Sequence, residues 1–166
     1  MLRARKKTRG STRSLFALCL IFAVCLSLLG CGEPQRSCAE ELEALLSDTV
    51  RPVGETYIKG AEEGAVGYLS PETARALYGD DAAELLSLCE DFAIFLSGRS
   101  NPFEAAVFRC YSATDSDRIA EMLLSRINDI QIALRDTSIS GAYDTAEVSV
   151  NGRLVSMRGG VQNISK

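Results

Sequence analysis

Two apolar runs flank the polar tetrapeptide Gly98-Arg99-Ser100-Asn101, and this restricts the fold more than any other feature of the chain. Glycine and asparagine in such a stretch are turn chemistry. Folding residues 88–97 back on residues 102–111, with Ser97 opposite Pro102, sets Leu96 opposite Phe103 and Ile94 opposite Ala105. The same register puts Phe92 opposite Val107, Glu90 opposite Arg109 and Leu88 opposite Tyr111. It matches apolar with apolar and acid with base, which cross-strand energetics favour. The first run has a second reading, because Leu85, Leu88, Cys89, Phe92 and Leu96 also share one helical stripe. The turn and the strand-like run after it favour the hairpin.

A second hairpin is written in residues 146–157, where Asn151-Gly152 separates two alternating runs. Residues 114–134 carry the clearest helical pattern, with Ile119, Met122, Leu123, Ile127, Ile130 and Leu134 on one face. Thr114 or Asp115 can cap this helix, and Asp115 and Asp117 suit its positive end. A shorter N-terminal helix is expected over residues 38–50, with Ser37 and Glu40 as a capping box and Pro52 as its stop. Ser70-Pro71-Glu72 starts a brief helix that Gly79 ends. Residues 53–69 hold Gly54, Gly60, Gly64 and Gly67 and read as irregular, with strand character only near residues 66–69. The sum is an α+β fold. A small antiparallel sheet is built from two hairpins, and a long helix and the shorter N-terminal helix pack against it on one face.

The first thirty residues stand apart. Arg3, Arg5, Lys6, Lys7, Arg9 and Arg13 form a basic segment, and residues 14–29 form an apolar one. The apolar run is short for a spanning helix, which needs about 20 apolar residues. Leu28-Leu29-Gly30-Cys31 closes it and polar sequence follows at once. Basic, apolar and small-residue zones in this order read as an export signal. The closing residues resemble the lipobox of bacterial lipoproteins. That resemblance implies a diacylglycerol on the Cys31 thiol and cleavage after Gly30. Residues 1–30 are then the signal peptide, 31–37 a tether and 38–166 one extracytoplasmic domain. An uncleaved N-terminal anchor is the alternative, and it exports the same domain. Either way the expected location is the cell membrane, on its extracytoplasmic side.

Twelve basic and twenty-two acidic residues remain after the signal, a formal charge of −10. This argues against nucleic acid and against an anionic lipid surface as electrostatic partners. The membrane is met through acyl chains, and an envelope protein is a possible further partner. There is no histidine and no tryptophan. Ser-His-Asp and Cys-His sites and histidine-bound zinc are therefore excluded. No catalytic, cofactor-binding or metal-binding residue is expected.

Several local words resemble the bacterial lipoprotein family called domain of unknown function 4358. They are Leu77-Tyr78-Gly79, Glu104-Ala105-Ala106-Val107-Phe108, the helix with Met122-Leu123 and Arg126, and Gly152 with the strand after it. The resemblance covers most of residues 38–157 and implies an exported, lipid-anchored α+β domain with no established activity or ligand.

Three cysteines remain beyond Cys31. The hairpin register puts Cys89 opposite Cys110, and a cross-strand disulfide between them is expected in an exported chain. Two buried thiols are the alternative. Cys38 is then unpaired, either buried in its helix or available for an intermolecular link. Asp80-Asp81 with Glu84, and Asp115 with Asp117, are acidic clusters that suggest calcium, but helix capping and solvation explain them more simply. Glu90 is expected to pair with Arg109. Arg126, beside the buried stripe of the long helix, either salt-bridges the sheet or faces an anionic ligand. The chain reads as a binding or assembly domain; a carboxylate-based envelope hydrolase or an enzyme accessory subunit is the alternative.

Overall fold

The computed structural model describes residues 35–48, 50–98 and 101–160. Cys31, the signal, Arg99-Ser100 of the hairpin turn and the tail from residue 161 lie outside them. Five strands, β1 Gly54–Ile58, β2 Cys89–Ser97, β3 Phe103–Cys110, β4 Glu147–Asn151 and β5 Leu154–Gly160, form one antiparallel sheet in the order β1-β2-β3-β5-β4. Among the described residues four helices accompany it: α1 Cys38–Leu45, α2 Pro71–Tyr78, α3 Ala82–Ser87 and α4 Ala113–Leu134. The fold is α+β, with both expected hairpins present.

The β2–β3 register corrects the expectation. Cys89 does face Cys110, but Glu90 is an extra residue, and from Asp91 onward every partner moves by one. Asp91 faces Arg109, Phe92 faces Phe108 and Leu96 faces Glu104. A one-residue bulge exchanges the partners on both faces of a strand. Phe103, Ala105 and Val107 therefore lie on the face of Ala93 and Phe95, not on that of Phe92 and Ile94. Both faces are apolar, so alternation alone could not choose between registers.

The second correction follows from the first. The helices cover both faces, not one. Cys38, Leu42 and Leu46 of α1 and its C-terminus pack on Ala93, Phe95, Phe103, Ala105 and Val107. Ile119, Met122, Leu123 and Ile127 of α4 pack on Phe92, Ile94, Ala106, Phe108, Val155 and Met157 on the other side. All eight residues of β3 are buried.

The helix starts follow local chemistry. Ser37 and Glu40 form the reciprocal capping box of α1, and Ser70 caps α2 with Pro71 in its first turn. The cap of α4 is Ser112, two residues before Thr114 and three before Asp115, and its Oγ accepts the Asp115 N–H. Helix α1 stops at Leu45, well short of Pro52. Helix α3 and strand β1 were not expected. Glycine opens β1 because a Cβ at residue 54 would collide with the Leu96 carbonyl, and the glycine content that suggested loop is what lets β1 approach β2. In the β4–β5 turn Asn151 pairs with Leu154, so Gly152-Arg153 are the central residues. Only Gly152 has positive φ (60°) there, which fits a II′ turn.

Candidate functional site

Glu104 is the buried polar residue that most needs explanation. It sits on β3, 1% exposed, with its side chain on the α4 face beside Ala106 and Phe108. A carboxylate there costs free energy unless partnered. Tyr78, the last residue of α2, donates its hydroxyl to Glu104 Oε1 at 3.3 Å. Arg126, in the middle of α4, donates Nε to Oε2 at 3.2 Å. Burial still raises the Glu104 carboxyl above its ordinary value, against the lowering effect of Arg126 and Tyr78. The Tyr78 hydroxyl is pushed up by burial and by the Glu104 charge, so it remains a donor.

Tyr143, 3% exposed, completes the cluster from the segment after α4. Burial, then the charge of Glu104, raises its hydroxyl. Its backbone carbonyl accepts from Gln131 Nε2 at 3.0 Å. Its ring lies on Gly159 of β5, where a Cβ would come within 2.8 Å of Tyr143 Cδ1 and 2.7 Å of Ala146 Cβ. Sequence reasoning singled out neither Tyr143 nor Gly159 as part of a site. The available signal was a glycine inside an apolar strand, which marks a close approach of another group.

Arg126 thus salt-bridges the sheet, as one of its two expected roles. Its side chain remains 20% exposed, and Nε is its only hydrogen-bonding atom among the described residues. It lines two cavities. One, of about 330 Å³, is walled by Leu77, Leu96, Phe103, Ile130 and Tyr143, with Glu104 beside Arg126. The other, of about 260 Å³, is lined by Asp80, Asp81, Asp129 and Ser125 together with Arg126. Tyr78, Glu104 and Arg126 come from three separate words of the sequence, and the fold brings them to one point.

The other expected site residues are placed as follows. Cys89 and Cys110 are fully buried free thiols facing each other across β2 and β3. Tyr111 N–H donates to Leu88 O at 3.0 Å, while Cys110 N–H turns to Arg153 O at 2.8 Å. The cysteines are therefore a non-hydrogen-bonded pair of the ladder, the kind with the closer side chains. Cys38 is fully buried under α1; burial, then the Asp91 charge, pushes its thiol up to about 12. Glu90 does not pair with Arg109. The bulge turns it toward Arg153 (3.3 Å), and Asp91 takes its place opposite Arg109 (3.9 Å). The acidic clusters are spent on local structure: Asp80 on Arg75 (3.6 Å), Glu84 on Arg118 (2.8 Å), Asp115 on the Ser112 cap. Among the described residues no three His, Cys, Asp or Glu side chains come together as a metal site, and no helix is long and apolar enough to cross a membrane.

No family model, no curated protein and no solved structure matches this chain.

Proposed function

We propose that this chain is a lipid-anchored extracytoplasmic domain that binds a ligand or partner at the cell envelope. The observation that carries the location is Cys31 directly after Leu28-Leu29-Gly30, behind a basic and then an apolar segment. Two acyl chains hold firmly because each buried methylene contributes about 0.8 kcal/mol. The mature charge of −10 supports an anchor that works through lipid chains and not through attraction to anionic headgroups.

Binding is favoured over catalysis by the state of Glu104. Both of its oxygens are engaged, by Tyr78 and by Arg126. A carboxylate held this way positions Tyr78 and Arg126. The residues at the cleft suit recognition: one guanidinium with unused donors, apolar walls, and aromatic rings.

Metabolic labelling with an alkyne-tagged palmitate analogue tests the anchor. The wild-type chain is expected to take up the tag and move to the membrane fraction, and Cys31→Ser to do neither. Equal tag uptake and equal processing in Cys31→Ser would overturn the reading.

A further inference from the structure

We infer that the cleft at Arg126 takes a small apolar ligand through its carboxylate. The inference rests on the binding reading above and names its chemistry.

Three observations point there. First, an arginine fork has five N–H donors and pairs best with a planar two-oxygen anion. Glu104 uses Nε alone, so Nη1 and Nη2 keep their donors beside the cavities, without a hydrogen bond among the described residues. Second, Glu104 is buried beside the guanidinium and takes its Nε, so it fixes the fork in place before any ligand arrives. A preorganised donor loses less side-chain freedom on binding. Third, the cavity of about 330 Å³ beside Arg126 has an apolar wall of Leu77, Leu96, Phe103 and Ile130, alongside Ser97 and Glu104. Its size is at the lower end for small-molecule sites, about 300–1,000 Å³.

The second cavity tells against an anion without an apolar body. Asp80, Asp81 and Asp129 line it together with Arg126. They disfavour free phosphate or sulfate, and the domain's net negative charge does the same at long range. An apolar carboxylate gains its contacts from the Leu77, Leu96, Phe103 and Ile130 wall of the first cavity, where the one acid, Glu104, is already paired with Tyr78 and Arg126.

A carboxylate of this kind can be a peptide chain end or a short organic acid. The probes are therefore N-acetyl-L-leucine, 4-methylvalerate and N-acetyl-L-leucinamide, titrated by calorimetry into the purified full-length chain with detergent-only blanks. Both acids, or one of them, are expected to bind, and the amide to bind about tenfold more weakly or worse, because it cannot accept the charged fork. Preference for N-acetyl-L-leucine assigns the chain end, and preference for 4-methylvalerate assigns the organic acid. Ile130→Trp fills the cavity and is expected to abolish binding while the circular dichroism spectrum is kept. Equal binding of amide and acid, undiminished binding by folded Ile130→Trp, or no binding of either acid at millimolar concentration overturns the inference. None of these results depends on the lipid, so failure here leaves the anchor standing, and failure of the palmitate label leaves the cleft standing.

Discussion

Glu104 makes the stability of this fold depend on pH in a particular direction. Its carboxyl is raised in the folded chain, chiefly by burial. A raised acid contributes its full stability below the unfolded value, and that contribution is lost as pH rises through the folded value. Urea unfolding from about pH 4 upward should show the wild type losing stability across that window relative to Glu104→Gln, which has nothing to titrate. Parallel curves for the two chains would refute this. Arg126→Gln is expected to steepen this dependence. It leaves Glu104 buried with one partner fewer, a loss of about 3 kcal/mol at neutral pH after allowing for the partial exposure of Arg126. The loss should shrink as the pH falls and Glu104 protonates. Gly159→Ala forces Tyr143 off the sheet and should cost about 1–3 kcal/mol by the same unfolding measurement. At this scale the sequence was half legible. Arg126 stood out because it is a cation beside a buried stripe. Its partner did not, because Glu104 was offset by one from its true register, and Tyr143 lies in a segment with no periodicity to read.

Helix α1 and the β2–β3 hairpin carry the next level of consequence. Leu42 is fully covered on the second face of the sheet. Leu42→Ala should cost about 2–5 kcal/mol, the range for a buried leucine that leaves a cavity. A cost under 1 kcal/mol in denaturant titration would mean that α1 is dispensable. In the hairpin, Cys89 and Cys110 occupy the close-spaced kind of antiparallel pair. Exported, they are expected to oxidise to a disulfide, worth about 3 kcal/mol for a loop of this length. Burial raises both thiols, so little thiolate exists once the domain is folded. The bond should therefore form before folding completes. Peptide mapping of exported protein, alkylated in denaturant without reductant, should find Cys89 linked to Cys110 and Cys38 alone alkylated. Alkylation of all three would remove the bond from the account. Turn signals and caps made most elements readable in advance. The bulge at Glu90 was not, since a strand apolar on both faces fits two registers equally well. Strand β1 was hidden by the same glycines that permit its close approach.

Residues 36–160 form a sheet with helices on both of its faces. Strand β3 is central, paired with β2 and β5 and buried along its length, whereas β4 is largely exposed. Native-state hydrogen exchange should be slowest at β3 and fastest at the outer sides of β1 and β4. Protection in β4 equal to that in β3 would show that something covers the edge. The fold class was legible because hairpins and amphipathic helices announce themselves locally. The two-sided layering was not, since it depends on which face each strand residue takes, and one extra residue decides that.

The first residue of α1 is Cys38, seven positions beyond Cys31. A stretch that short extends at most about 25 Å. An acyl-held Cys31 would therefore keep the domain on a short leash, and any pull away from the bilayer would be transmitted along the chain first into the helix that roofs half of the core. Mechanical load on the envelope would then reach α1 before it reached the sheet beneath.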